Sequence, residues 1–176
     1  LTLTGSGNGT LTPILGNPAT SGSSAIAHTG TGVWTLKGIN TYTGTTTVAS
    51  GATLDIKLNS TSTSALLALT SSSYSGAGTV IIEPLTTGGS ISLSSTGSTG
   101  STLNLASYLF NGSGGTRKFT DGFSKIIIGS SSVGNITVVG SSTFSDSVTL
   151  LTGGNITLNS GASIAMSQAS GNLVLA

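Results

Sequence analysis

The stretch Gly30–Ile56, GTGVWTLKGINTYTGTTTVASGATLDI, decides the fold. Its side chains alternate: Trp34 and Leu36 fall on one face, Val33 and Thr35 on the other, and Leu54 and Ile56 oppose Thr53 and Asp55 in the same way. Such a period of two reads as short strands with one buried and one small polar face. Gly and Asn clusters between the strands read as turns, because both residue types tolerate positive φ. With one Lys, one Asp and neither His nor Cys, the stretch offers almost nothing for chemistry.

The same alternation runs through the rest of the chain. TVIIE at Thr79–Glu83, IIIG at Ile126–Gly129 and ITVV at Ile136–Val139 are further apolar runs, and GGSISLSS begins at Gly88. GNITVV at Gly134 returns as GNITLN at Gly154, 20 residues on, and GNLVLA at Gly171 reads as a third copy. Only SALLALT at Ser64–Thr70 hints at a helical period, and it is short. Repeats near 20 residues with two or three strands each predict the coils of an all-β parallel solenoid, about 8–9 of them. A β-sandwich is the alternative, since it too has short alternating strands between frequent turns.

Composition has a physical reason in a solenoid. Charged residues are 5% of the chain, against about 25% in ordinary domains, and Ser and Thr make up about a third. Coils stack about 4.8 Å apart, so equivalent side chains form ladders in which like charges repel and aliphatic, Thr and Asn rows pack or hydrogen-bond. One coil burying about six aliphatic side chains gains about 12 kcal/mol, less than the cost of ordering about 20 residues. Neighbouring coils must supply the rest. The β-branched apolar runs and low charge argue against disorder.

Several function classes are disfavoured by the same numbers. A net charge of +1 does not suit nucleic acid or acidic lipid, which need clustered Lys and Arg; Arg117, Lys118 and Lys125 read as a solvated turn. The chain has no Cys, hence no disulfide framework or thiolate metal site, which suits export through a narrow pore. No apolar stretch approaches the roughly 20 residues of a membrane-spanning helix. The alternating pattern is in progress at both Leu1 and Ala176, and predicts a segment of something longer: a single β-helical unit over 1–176.

The opening stretch resembles the autotransporter-associated β-strand repeat of bacterial exported proteins. Gly30, Gly32, Leu36, Gly38, Asn40, Thr41, Tyr42, Gly44, Thr46, Val48, Gly51 and Leu54 match its pattern, while Ile39 stands where a small residue is usual and His28 where Lys is common. Asp121–Leu158 is similar to rungs of filamentous-haemagglutinin-like large exoproteins. The two regions cover somewhat over a third of the chain and divide it into autotransporter-repeat-like coils over 1–58, less regular coils over 59–120 and exoprotein-like coils over 121–176. The resemblance implies a right-handed parallel β-helix, an autotransporter or two-partner export route through outer-membrane machinery, and an extracellular or cell-surface adhesin or structural rod. It brings no catalytic residue with it.

Candidate sites are correspondingly sparse, and no catalytic, cofactor-binding or metal-binding residue is assigned. His28 has no Cys, Asp or Glu near it in sequence and reads as a turn or surface histidine. Asp55, Glu83, Asp121 and Asp146 are scattered singly, whereas glycosidase chemistry needs two carboxylates about 5–10 Å apart, a separation that only the stacking of coils can bring about. A polysaccharide-active β-helix enzyme is the alternative that a carboxylate and basic cluster on one face would favour. GSGNG at Gly5 and NGSGG at Asn111 lack the Lys-Ser/Thr and helix of a phosphate loop. Trp34, Tyr42, Tyr74 and Tyr108 would stack on sugars if exposed and pack between coils otherwise. Asn8, Asn59, Asn111, Asn135 and Asn155 each begin an Asn-x-Ser/Thr sequon but also suit turns and ladders. TYTGTTT at Thr41–Thr47 raises ice binding, which needs Thr in register on a flat face. The expected partners are sister rods in a filament, carbohydrate, or a neighbouring cell surface.

Overall fold

The computed structural model describes residues 1–19, 22–37, 40–59, 69, 72–94, 102–111 and 117–176. Its strands in chain order are β1 (Thr2–Leu3), β2 (Gly9–Leu11), β3 (Ile26–His28), β4 (Val33–Lys37), β5 (Thr46–Val48), β6 (Thr53–Leu58), β7 (Tyr74–Gly76), β8 (Thr79–Pro84) and β9 (Ser90–Leu93). They continue with β10 (Thr102–Leu105), β11 (Lys125–Ser130), β12 (Ile136–Val138), β13 (Ser141–Phe144), β14 (Val148–Thr152), β15 (Ile156–Leu158), β16 (Ser163–Met166) and β17 (Leu173–Leu175). Every pairing between them is parallel. The stretch 64–70, apart from Leu69, lies outside the described residues, as do Gly38 and Ile39 of the repeat motif and residues 112–115 of NGSGG.

The strands close into a parallel β-solenoid. Its continuous face is the seven-stranded sheet β2-β4-β6-β8-β11-β14-β17. A second face begins as β1-β3-β5-β7 and resumes as β13-β16, both sets standing immediately before a rung of the main sheet in the chain. The third face is β10-β9-β12-β15. The sandwich alternative is set aside, because a sandwich pairs antiparallel strands.

Seven rungs make about six turns, fewer than the 8–9 coils that a 20-residue period predicts. Coil length is the reason. Val33 lies opposite Thr53, 20 residues on, but Gly9 lies opposite Trp34, 25 on, and Thr79 opposite Lys125, 46 on. The longest coil carries β9, the extra strand β10 paired to it, and a four-residue helix Tyr108–Asn111.

Alternation fills the interior with in-register ladders. Leu11, Leu36, Ile56, Ile82, Ile128, Leu150 and Leu175 form one row through all seven rungs of the main sheet, buried in the five middle rungs, half-buried at Leu11 and exposed at Leu175. Ile91, Ile136 and Ile156 form another on the third face. An aromatic stack carries the second face across the long coil: Tyr74 stacks on Phe119 at 4.6 Å between ring centroids, Phe119 on Phe110 at 5.4 Å, and Phe110 meets Phe144 of β13 at 4.8 Å. Burial of these rings adds to the single parallel bridge Tyr74–Phe119 where the longer strand pairing of this face lapses.

Glycine and asparagine positions at the corners also acquire a physical reason. At Gly32 a Cβ would fall 2.7 Å from the carbonyl carbon of Gly7 in the coil before, and closer still to its oxygen. At Gly76, where φ is +133°, it would fall 2.8 Å from the carbonyl carbon of Val48. Only glycine lets the coils approach so closely at these corners. Asn side chains then tie neighbouring coils together: Asn8 Oδ1 accepts from Val33 N–H at 2.8 Å, Asn40 Oδ1 from Leu15 N–H at 2.9 Å and Asn135 Oδ1 from Asn155 N–H at 3.0 Å.

Candidate functional site

Parallel stacking converts sequence distance into adjacency, and it does so for the acidic residues. On the outward face of the main sheet Thr35 lies opposite Asp55, Asp55 opposite Ile81, and Lys57 opposite Glu83. Asp55 and Glu83 therefore sit diagonally on adjacent rungs with Lys57 between them. Scattered in sequence, these two carboxylates are brought together in space by the stacking of coils. The signal was present as two offsets, 20 residues from Thr35 to Asp55 and 26 from Lys57 to Glu83, but coils of unequal length hide it.

Lys57 Nζ donates to Glu83 Oε1 and lies 3.8 Å from Asp55 Oδ2, while Thr35 Oγ1 donates to Asp55 Oδ2 at 3.1 Å. The side chains of Asp55 and Glu83 are 9% and 7% exposed, that of Lys57 28%. Burial pushes the Asp55 carboxyl above its ordinary range; the Lys57 charge pulls the other way and Glu83 adds to the rise. For Lys57 burial acts downward, but the Glu83 hydrogen bond and the charges of Asp55 and Glu83 outweigh it and hold the ammonium above its usual value. Asp55 Oδ1 is buried with no hydrogen-bond partner, which is uncommon for a carboxylate oxygen.

A second acid pair forms at a corner of the C-terminal coils. Asp146 Oδ1 accepts from Gly122 N–H at 2.8 Å, and Asp121 Oδ2 accepts from Gln168 Nε2 at 2.9 Å. Burial raises the Asp146 carboxyl, the Gly122 amide opposes the rise, and the neighbouring Asp121 reinforces it. Among the described residues no three His, Cys, Asp or Glu side chains gather as a metal would require.

The remaining candidates turn inward. His28 is fully buried in β3 rather than on the surface or in a turn: Nε2 lies 2.9 Å from Gly32 O and 3.2 Å from Thr53 O, and Nδ1 3.4 Å from Leu3 O. Tyr42 and Tyr74 are buried in the core, and Trp34 and Tyr108 are half-buried against it, so the aromatics serve packing between coils. Tyr42 OH shares a 2.6 Å hydrogen bond with Thr46 Oγ1. Arg117 donates to Phe110 O at 2.9 Å and to the Ser145 hydroxyl, whereas Lys125 is exposed at the start of β11. On the second face the hydroxyl row through Thr2, Thr47 and Ser75 is broken by Ala27.

These features define a parallel β-solenoid with a mixed-charge cluster on its broadest face. Comparison with protein-family models, with curated proteins and with solved structures finds no match to this chain. Among the described residues no helix is long and apolar enough to cross a membrane.

Proposed function

We propose that the chain is a non-catalytic structural and adhesive segment of a secreted bacterial surface exoprotein. The single observation that carries this reading is the row of uncharged side chains that runs in register through seven rungs. A solenoid of that kind is stiff because every coil is held by its neighbours, and six rung spacings of about 4.8 Å extend it by about 29 Å. The lack of Cys and the repeat-like stretch Gly30–Leu54 support export to the cell surface. Coils that stack outside the cell oppose backsliding of the chain, so stacking itself would aid secretion. The rod then meets carbohydrate, a neighbouring cell or sister rods through its Ser/Thr-rich faces.

A polysaccharide-active enzyme is the second reading. It is favoured by the gathering of Asp55 and Glu83 with Lys57 on one face. It is weakened by the place of Lys57, which lies between the two acids and bonds to Glu83. Electron microscopy of the purified protein and of producing cells tests the first reading: rods or fibres with a 4.8 Å axial repeat on the cell surface are expected, and a protein found only inside the cell would overturn it. Release of new sugar ends from polysaccharide by the purified protein, abolished by Glu83→Gln, would instead establish the second.

A further inference from the structure

We infer that the outward cluster of Asp55, Lys57 and Glu83, with Thr35, is a subsite for a neutral, hydroxyl-rich ligand, a segment of glycan. The inference rests on the reading of the rod as an adhesive surface and supplies the class of its ligand. Two independent observations carry it: the stacking of four polar side chains from β4, β6 and β8 on one outward face, and the buried Asp55 Oδ1 that has no donor. A carboxylate oxygen withdrawn from water and left without a hydrogen bond is costly. A ligand O–H donating to it removes that cost on binding. Access lies along Lys57, more exposed than either acid. Its ammonium bonds to Glu83 but stands 3.8 Å from Asp55, too far for a hydrogen bond, so it can leave Asp55 while keeping Glu83.

Charge and shape select the ligand class. Lys57 is already bonded to Glu83, and a metal ion would have to displace it; an anion would face two carboxylates that the charges of Lys57 and of Lys37, opposite it on the preceding rung, balance without excess. A neutral hydroxyl has neither difficulty. The row that holds Thr35 and Asp55 continues with Ile81 and then Ile127 on the next two rungs, both half-buried. Ligand sites typically place a few polar groups beside apolar surface, and a sugar ring offers a hydroxyl edge and an apolar C–H face to such a step.

The test applies the 176-residue protein to a printed array of neutral, amino-sugar and uronate oligosaccharides, and titrates the strongest neutral binder by calorimetry. Binding to neutral glycans above uronates is expected. Asp55→Asn should weaken it by about tenfold or more, the loss of a hydrogen bond to a charged group, and Asp121→Asn, at the other acid pair, should leave it unchanged. Melting midpoints accompany each variant; if Asp55→Asn melts early, Thr35→Val takes its place with a several-fold loss expected. Unchanged affinity in a folded Asp55→Asn or Thr35→Val variant, uronates bound above neutral glycans, or no neutral glycan bound at all would each overturn the subsite. Adhesion of the intact protein to cells, measured in parallel, judges the adhesive reading separately.

Discussion

Gly32→Ala should destabilise the first coils while Gly7→Ala, at the equivalent corner one coil earlier, should not. The new Cβ at Gly32 would stand 2.7 Å from the carbonyl carbon of Gly7, against an ordinary contact of at least 3.4 Å. The coils must therefore part locally by at least about 0.7 Å, and by more at the Gly7 oxygen, a gap that forfeits a quarter to a half or more of each affected contact. Gly32 is not free to move alone: its N–H donates to Gly5 O at 3.4 Å, and its carbonyl accepts from Thr53 N–H at 3.4 Å and from His28 Nε2 at 2.9 Å. Overpacking costs about 1–3 kcal/mol, and loss of the His28 hydrogen bond about 1 kcal/mol more, for a total of about 2–4 kcal/mol. Gly7 has open space around it and no positive φ, so alanine there should be neutral or stabilising by up to about 1 kcal/mol. Urea denaturation followed by circular dichroism reads the global effect. Native-state hydrogen exchange reads the first coils, which in a solenoid can open separately from the rest. Equal stability of the two variants, or a more stable Gly32→Ala, would refute the close-approach reasoning.

Three further outcomes follow from the packing. Phe119→Ala removes the ring between Tyr74 and Phe110 and should cost about 3–5 kcal/mol, read as a lowered denaturation midpoint; a loss below about 1 kcal/mol would mean the stack does not hold the long coil. Asn40→Ala leaves the Leu15 amide without its acceptor and should cost about 1–3 kcal/mol, with faster exchange of that one amide as the local signature. The raised Asp55 and Asp146 carboxyls bind protons more tightly folded than unfolded, so their contribution is fully present below the unfolded value of about 4 and is lost as pH rises through the folded values. Stability measured from pH 3 upward should therefore fall more in the parent than in Asp55→Asn/Asp146→Asn, and a steeper fall in the variant would contradict the shifts.

Strands were legible wherever alternation met a run of β-branched residues: the apolar runs at Thr79, Ile126 and Ile136 are β8, β11 and β12. The GNIT copies were legible too, since Ile136 does lie opposite Ile156. GNLVLA at Gly171 was not: Leu173–Leu175 joins the main sheet beside β14 rather than stacking on β15. Alternation says which side of a strand is apolar, not which face of the solenoid the strand belongs to. The acid pairs and the burial of His28 escaped for a related reason. Both depend on the offset between coils, and that offset is fixed by how much chain each corner holds.

The 46-residue step between Thr79 and Lys125 bears on how such a protein can change. Thr79–Ile82 and Lys125–Ile128 remain in register despite all the chain between them, so the scaffold takes added length at a corner without shifting the rungs on either side. Loop closure grows only slowly in entropic cost with length. The added chain is not a mere surface excursion, for Leu103, Leu105, Leu109 and Phe110 within it are buried, so a coil of this kind gains length by bringing its own apolar side chains to the interior while the rungs on either side keep their pairing.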